Sequence, residues 1–263
     1  MGASTAPQAG PPDWTVDSFF RGGFVLVQPA SGAHRAGMDA LVLASALPSD
    51  FSGRVADFGA GAGAAGLAVA ARLPDTKVCL IEKAPEMARF AAETLAHADN
   101  AALAPRLSLL VADVSLRGQA RHGAGLEDRS FDAVIMNPPF NDPRDRRASA
   151  DLKRLAHAAE PDVFESWLRS AAAMLTPNGL VALIARPESL THILAALSRR
   201  FGGAQIVAVH SDASEPAIRV IVRARRGSRA RTALLPPLVL RDGGAVTARA
   251  DAIANGRASL FGD

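Results

Sequence analysis

The stretch Val55-Ala-Asp57-Phe58-Gly59-Ala-Gly61-Ala-Gly63-Ala-Ala-Gly66 decides the fold. A short strand pattern runs straight into a turn with glycine at every second position, and a helical pattern continues to about Leu73. Glycines at a strand-to-helix turn let the backbone bend sharply and approach a ligand closely. The spacing of Gly61, Gly63 and Gly66 is G-x-G-x-x-G, the fingerprint of a nucleotide-binding turn in an open α/β sheet. A tight turn packed on a helix is the plain structural alternative.

Working outward, strands and helices alternate. Upstream, Phe19 to Pro29 reads as a hairpin or edge strand with a Gly-Gly turn, and Met38 to Leu47 as a short helix ended by Pro48. Downstream, the strand Val78–Ile81 ends in Glu82, and Pro85 opens a helix to about Ala98. The strand Leu107–Ala112 ends in Asp113, and the strand Phe131–Met136 ends in Asn137-Pro138-Pro139-Phe140. A polar segment, Asn141 to Glu160, precedes a helix from about Asp162 to Leu175, with Asn178-Gly179 as its cap. The strand Leu180–Ala185 and a helix from about Glu188 to Phe201 follow. Ile206–Val209 and Ile218–Val222 then lie too close together to be joined by a helix and predict an antiparallel pair. The fold class is α/β: a doubly wound, mostly parallel sheet with an antiparallel edge. Three parts are expected: a disordered tail at 1–13, an extension packed on the core at 14–50, and the sheet domain with a C-terminal appendage at 51–263.

Composition sets the outer bounds. Of 263 residues, 49% are hydrophobic and 21% charged, the balance of a soluble globular protein. No apolar run approaches the ~18 residues of a membrane span. The N-terminus lacks the basic start and apolar stretch of a signal peptide. The single cysteine, Cys79, rules out an intramolecular disulfide and a Cys-x-x-Cys metal site, and a reducing cytoplasm is the expected location. A net charge of +3 and a pI near 9.7 are compatible with a nucleic-acid partner without requiring one. The expected assembly is a monomer or weak dimer.

The chemistry is carried by strand ends. Asp57 lies two residues ahead of Gly59, so an acid faces the place where a pyrophosphate would sit; it repels phosphates and attracts a cationic sulfonium amino acid. Glu82 ends the next strand, where a carboxylate can chelate two ribose hydroxyls. Asp113 ends the third, placed to contact an adenine amino group. Open α/β sheets bind ligands at these carboxyl ends. With Gly59, Gly61 and Gly63 the set fits S-adenosylmethionine better than NAD, and no Tyr or acid–base pair accompanies the turn. Each acid has a structural alternative: Glu82 a surface ion pair beside Lys83, Asp113 a helix cap.

Asn137 to Phe140 supplies the other half. Two prolines donate nothing to a sheet ladder and force extended backbone before each of them. The strand therefore ends in an exposed amide, two free carbonyls and an aromatic ring. The Asn137 side-chain oxygen and the Pro138 carbonyl can accept both hydrogens of a planar NH2 group while Phe140 stacks on the attached ring. The candidate catalytic set is Asn137, Pro138, Pro139 and Phe140.

These motifs, in this order, resemble the seven-stranded Rossmann-like methyltransferases that modify exocyclic or amide nitrogens. Within that group the chain looks like the bacterial tRNA (adenine-N6)-methyltransferases that act on valine tRNA beside the anticodon. Gln28-Pro29 followed by Gly32, Arg35 and Asp39-Ala-Leu-Val-Leu-Ala44 is similar to that family's N-terminal signature. Pro216–Val220, Leu235–Leu240 and Ile253–Gly256 are similar to its C-terminal stretch, and Phe140 stands where the family often has Tyr. The resemblance implies S-adenosylmethionine as donor, Arg35 and Asp39 in the donor site, tRNA as partner and no metal.

Arg144, Arg146, Arg147, Lys153 and Arg154 fall beside the catalytic end and are candidate RNA phosphate contacts. Arg219, Arg223, Arg225, Arg226, Arg229 and Arg231 form a second basic run, as an RNA surface or a solvated face. Three function classes stay open. The first is a nucleic-acid adenine methyltransferase; the second is a protein glutamine or rRNA guanine-N2 methyltransferase. The third is a non-catalytic nucleotide-binding module, which predicts a broken Asn-Pro-Pro end or a missing ribose acid.

Overall fold

The computed structural model describes residues 14–30, 36–139 and 163–263. Strands β1 (Trp14–Phe19) and β2 (Phe24–Pro29) form an antiparallel hairpin with a sheet of its own. Its turn passes through Gly22 at φ 95°, a left-handed conformation that glycine adopts without strain. The free edge of β2 is completed by side chains: Asn100 accepts from Val25 N–H at 2.9 Å and donates to its carbonyl at 2.8 Å, and Thr94 Oγ1 accepts from Val27 N–H at 3.0 Å. Helix α1 (Met38–Ala44) follows.

The main sheet has ten strands among the described residues. They are β3 (Gly53–Phe58), β4 (Thr76–Glu82), β5 (Leu107–Val111), β6 (Phe131–Met136), β7 (Leu175–Ala185), β8 (Phe201–Asp212), β9 (Ala217–Arg226), β10 (Ala233–Leu234), β11 (Leu238–Asp242) and β12 (Ala245–Val246). In space the order is β12-β11-β8-β9-β7-β6-β3-β4-β5, with β10 also on β8. The pairs β5-β4, β4-β3, β3-β6 and β6-β7 are parallel, and β9 is antiparallel to both neighbours. The antiparallel pair expected near the C-terminus therefore exists, with β9 inserted between β7 and β8. Beyond the seven expected strands, the C-terminal stretch adds β10 to β12.

Both faces are covered, which is why the central strands read as continuous apolar runs. On β6, Ala133 and Ile135 pack with α1, α2 (Ala64–Arg72), α3 (Pro85–Ala96) and α7 (Ala248–Ala254). Val134 and Met136 pack on the other side with α5 (163–174) and α6 (Leu190–Leu197). A short helix, α4 (Gly118–Gly123), precedes β6.

Two boundaries differ from expectation. Asn178-Gly179 is not a helix cap: α5 ends at 174, and Asn178, at φ 63°, lies in a bulge of β7. There the register jumps from Phe131↔Leu175 to Ala133↔Leu180, and Asp132 accepts from Thr176 Oγ1 at 3.3 Å. Helix α6 stops at Leu197, and Phe201 already belongs to β8, whose β-branched run wins the segment.

Much of the second arginine run holds the fold together. Arg223 is buried and donates to Gln205 (2.7 Å), Asp263 (2.7 Å) and the Ala46 carbonyl (3.1 Å), with its guanidinium 3.9 Å over the Phe261 ring. Arg226 donates to the Leu175 carbonyl (2.6 Å) and Arg225 to that of Asn178 (3.3 Å). Arg223 is thereby committed to the fold and Arg226 in part, while Arg225, Arg229 and Arg231 are exposed. Replacing Arg223 by Ala should lower the free energy of unfolding by about 3 kcal/mol, read from urea titration, since it strips Gln205, Asp263 and a carbonyl of one shared donor.

Candidate active site

The parallel order β5-β4-β3-β6 brings four strand ends into one row. Asp113 follows β5, Glu82 ends β4, Gly59 follows β3 and Asn137 follows β6. Phe58 pairs with both Ile81 and Met136, so the glycine turn stands between the acids and the Asn-Pro-Pro end. At the usual strand spacing the row spans roughly 14 Å.

The turn is held by the neighbouring strand. Gly59 and Ala60 N–H both donate to the Ile81 carbonyl, at 2.8 and 3.1 Å. The Glu82 carboxylate bridges two backbone donors, taking Gly61 N–H at 2.9 Å and Ala84 N–H at 2.7 Å. An ionised carboxylate offers about four lone-pair positions, so this bridge leaves capacity for two hydroxyl groups. Gly59, Gly61 and Gly63 all have positive φ, at 67°, 59° and 101°. Around Gly61 a Cβ would meet only Met87 Cε, at 3.7 Å, so the backbone is open to an approaching ligand. Gly66 serves packing instead: a Cβ there would overlap Leu80 and stand 3.1 Å from Asp57 Oδ2.

Asp57 is buried beneath the turn, its Oδ2 accepting Gly66 N–H at 2.8 Å. Burial pushes its carboxyl up from 3.8 to about 7, the Gly66 N–H opposing and the Glu82 charge adding to the rise. It thus braces the first turn of α2 against the sheet, and its burial favours the neutral carboxyl over a charge beneath the turn. Asp113 is half-exposed; burial raises its carboxyl, but hydrogen bonds from Ser115 and the Lys83 charge outweigh this and hold it below the usual carboxylate range. Ser115 N–H donates to Oδ1 at 2.8 Å and Lys83 Nζ lies 3.8 Å from Oδ2. Lys83 thus pairs with Asp113 across the strand ends, not with its neighbour Glu82.

Asn137 is half-buried, Pro138 buried and Pro139 exposed. Asp39, grouped above with the donor residues, opens α1 and accepts from Arg219 Nε at 2.8 Å. The register Ala185↔Val220 sets Arg219 at the same edge of the sheet, on the side of β9 and away from Glu82. Arg35, Phe140, Arg144, Arg146, Arg147, Lys153 and Arg154 lie outside the described residues. One residue escaped the sequence reading. Trp167, on α5, packs edge-on against Phe58, with ring centroids 6.3 Å apart at 78°, and its ring covers Gly59. No spacing in the sequence marks it, because in a helical pattern a tryptophan reads as core.

Among the described residues no cluster of His, Cys, Asp or Glu could hold a metal, and no helix is long and apolar enough to cross a membrane. The site thus offers an open glycine backbone, a carboxylate with spare acceptors and a buried acid beneath the turn.

A sheet of this order, with its glycine turn after the central strand and acids at the next two strand ends, defines a class I methyltransferase. The chain belongs to the methyltransferase small domain family, whose family model matches residues 34–212. It is similar to a solved structure from Agrobacterium tumefaciens described as a predicted O-methyltransferase. That protein is 43% identical, with a TM-score of 0.74 over 84% of this chain and 98% of the other. Among curated relatives, a tRNA1(Val) (adenine(37)-N6)-methyltransferase of Pedobacter heparinus is 27% identical over 72% of this chain and 76% of its own. A release factor glutamine methyltransferase of Salmonella typhimurium is 28% identical over 49% of this chain and 45% of its own.

The buried acid makes stability depend on pH. With a folded value of about 7 against 3.8, Asp57 stays protonated in the folded chain where the unfolded chain has already lost the proton. Its contribution is therefore full below about pH 4, declines as pH rises toward 7, and is flat above. Urea unfolding at pH 5 and pH 8 should show this fall in the parent and a smaller one in Asp57→Asn, whose amide oxygen can still accept from Gly66.

Proposed function

We propose that this methyltransferase transfers a methyl group from S-adenosylmethionine to N6 of an adenine in a tRNA anticodon loop. The observation that carries the reading is the Asn137-Pro138-Pro139 end of β6 standing beside the glycine turn of β3. Asp57, Gly59, Gly61 and Gly63 would hold the amino-acid part of the donor, Glu82 its ribose and Asp113 its adenine. When bound, the donor supplies an electrophilic methyl carbon.

The chain's own part is orientation. Asn137 Oδ1 and the Pro138 carbonyl accept the two hydrogens of the exocyclic amine, which turns its lone pair out of conjugation and toward the donor. Phe140 stacks the base. Such chemistry depends on positioning more than on a strong base. An anticodon-loop base leaves its stack at a cost of a few kcal/mol or less. Arg144, Arg146, Arg147 and Arg154 are proposed phosphate contacts, residues 14–50 an extension of the sheet domain, and the cytoplasm the site of action.

Curated relatives named for tRNA adenine-N6 methylation support this target. The description of the Agrobacterium protein as an O-methyltransferase points to a different acceptor. A hydroxyl presents one hydrogen, so it would leave one of the two acceptors at Asn137-Pro138 unused. A glutamine side-chain amide does present two, and the release-factor relative favours it as the second reading.

Three measurements test the proposal. Mass spectrometry of nucleosides from total tRNA should show an N6-methyladenosine that vanishes when the gene is removed and returns with the parent chain. Asn137→Ala should bind the donor normally yet lose on the order of a hundredfold or more in transfer rate; near-parent activity overturns the assignment. Binding to tRNA should weaken steeply between low and moderate salt, as phosphate neutralisation requires.

A further inference from the structure

The three atoms nearest to where a Cβ on Gly59 would stand all belong to the ring of Trp167, at 2.5, 3.2 and 3.5 Å. Gly59 is the first residue after β3 and is held at φ 67°. The indole also packs edge-on against Phe58 and shares an apolar cluster with Met136, the residue before Asn137. One side chain from α5 therefore abuts the last residue of β3 and the start of the donor turn, within the cluster that also seats the end of β6. An indole suits this place, since it is large, rigid and fixed by two torsions. Displacements of about 1 Å at a reacting centre cost on the order of a hundredfold in rate.

We propose that Trp167 is a positioning residue: it clamps Gly59 from the apolar face that also carries Phe58 and Met136, and so fixes the donor turn relative to the Asn137 strand end. The inference rests on the donor-site reading above. It gives the glycine at position 59 a second reason to be glycine, because any side chain there would enter the indole. It also couples α5, which follows the segment after Phe140, to the donor turn.

The test uses S-adenosylhomocysteine as the probe and fluorescence as the signal. The chain contains two tryptophans, and Trp14 lies exposed on β1, so a Trp14→Phe parent isolates the Trp167 emission. Binding of the probe should change that emission. In the same background, Trp167→Leu, which keeps apolar volume, should weaken probe binding by about tenfold or more by calorimetry. Trp167→Phe, which keeps a ring, should stay within about threefold of the parent. Gly59→Ala should also weaken binding, and its effect should be smaller when added to Trp167→Leu, where the clashing ring is gone.

Unchanged emission on binding overturns the proposal. So does a Trp167→Leu chain that melts at lower temperature yet binds the probe within twofold of the parent, because the ring is then only core. A parent chain that binds no probe overturns the donor-site reading and this inference with it. Probe binding without adenine methylation overturns the adenine assignment alone and leaves the clamp standing.

Discussion

Helix α2 lies close against the sheet because residue 66 has no side chain. A Cβ there would overlap Leu80, and Val78 Cγ1 and Asp57 Oδ2 would both stand within about 3.2 Å of it. Close approach brings the Gly66 N–H within 2.8 Å of the buried Asp57 carboxyl and seats the left-handed Gly63 over Leu80. The helix start fixes the turn, the turn sets its N–H groups against Ile81 and Glu82, and the row of strand ends follows. A site assembled from four separate strand ends needs such a constraint, since no single loop determines the spacing of its members.

The parts of this arrangement that were legible in the sequence are those with a local cause. Val55 to Gly66 announces strand, turn and helix through apolar run, glycine spacing and small residues, and the structure builds all three. Glu82 and Asp113 could be read because acids closing apolar runs are conspicuous, and the parallel pairing of β3, β4 and β5 brings them side by side. Asn178-Gly179 misled because Asn-Gly suits a helix end and a bulge equally well; only the pairing with Asp132 selects the bulge. Asp57 was legible as an acid near the turn but not as a buried group bonded to Gly66, since burial depends on how closely α2 descends. Trp167 gave no signal at all. Its contact with Gly59 spans more than a hundred positions of chain and exists only once α5 packs beside β3 and β6.

Charge tells a related story. A basic balance and two arginine runs invite a nucleic-acid reading, yet Arg223, Arg225 and Arg226 donate to carbonyls and side chains of the fold, and Arg219 to Asp39. Guanidinium groups are suited to this work because they stay charged and present several donors in a rigid plane. Arg223 uses that plane both to bond Asp263 and Gln205 and to lie over Phe261. Counting basic residues therefore overstates the guanidinium donors free to meet a phosphate backbone, since Arg223 and Arg219 are paired with carboxylates of the fold.

The insertion of β9 between β7 and β8 bears on how the chain is made. Synthesis delivers β8 before the strand that will separate it from β7, so β8 cannot take its place at the growing sheet when it first emerges. The short connection from Asp212 to Ala217 lets β8 and β9 zip together locally, and β9 can then dock on β7 with β8 already attached. Until then β7 presents an unpaired edge from a buried, apolar strand, the kind of surface that invites aggregation. The C-terminal third is thus the stretch on which the vulnerability of the nascent chain is concentrated.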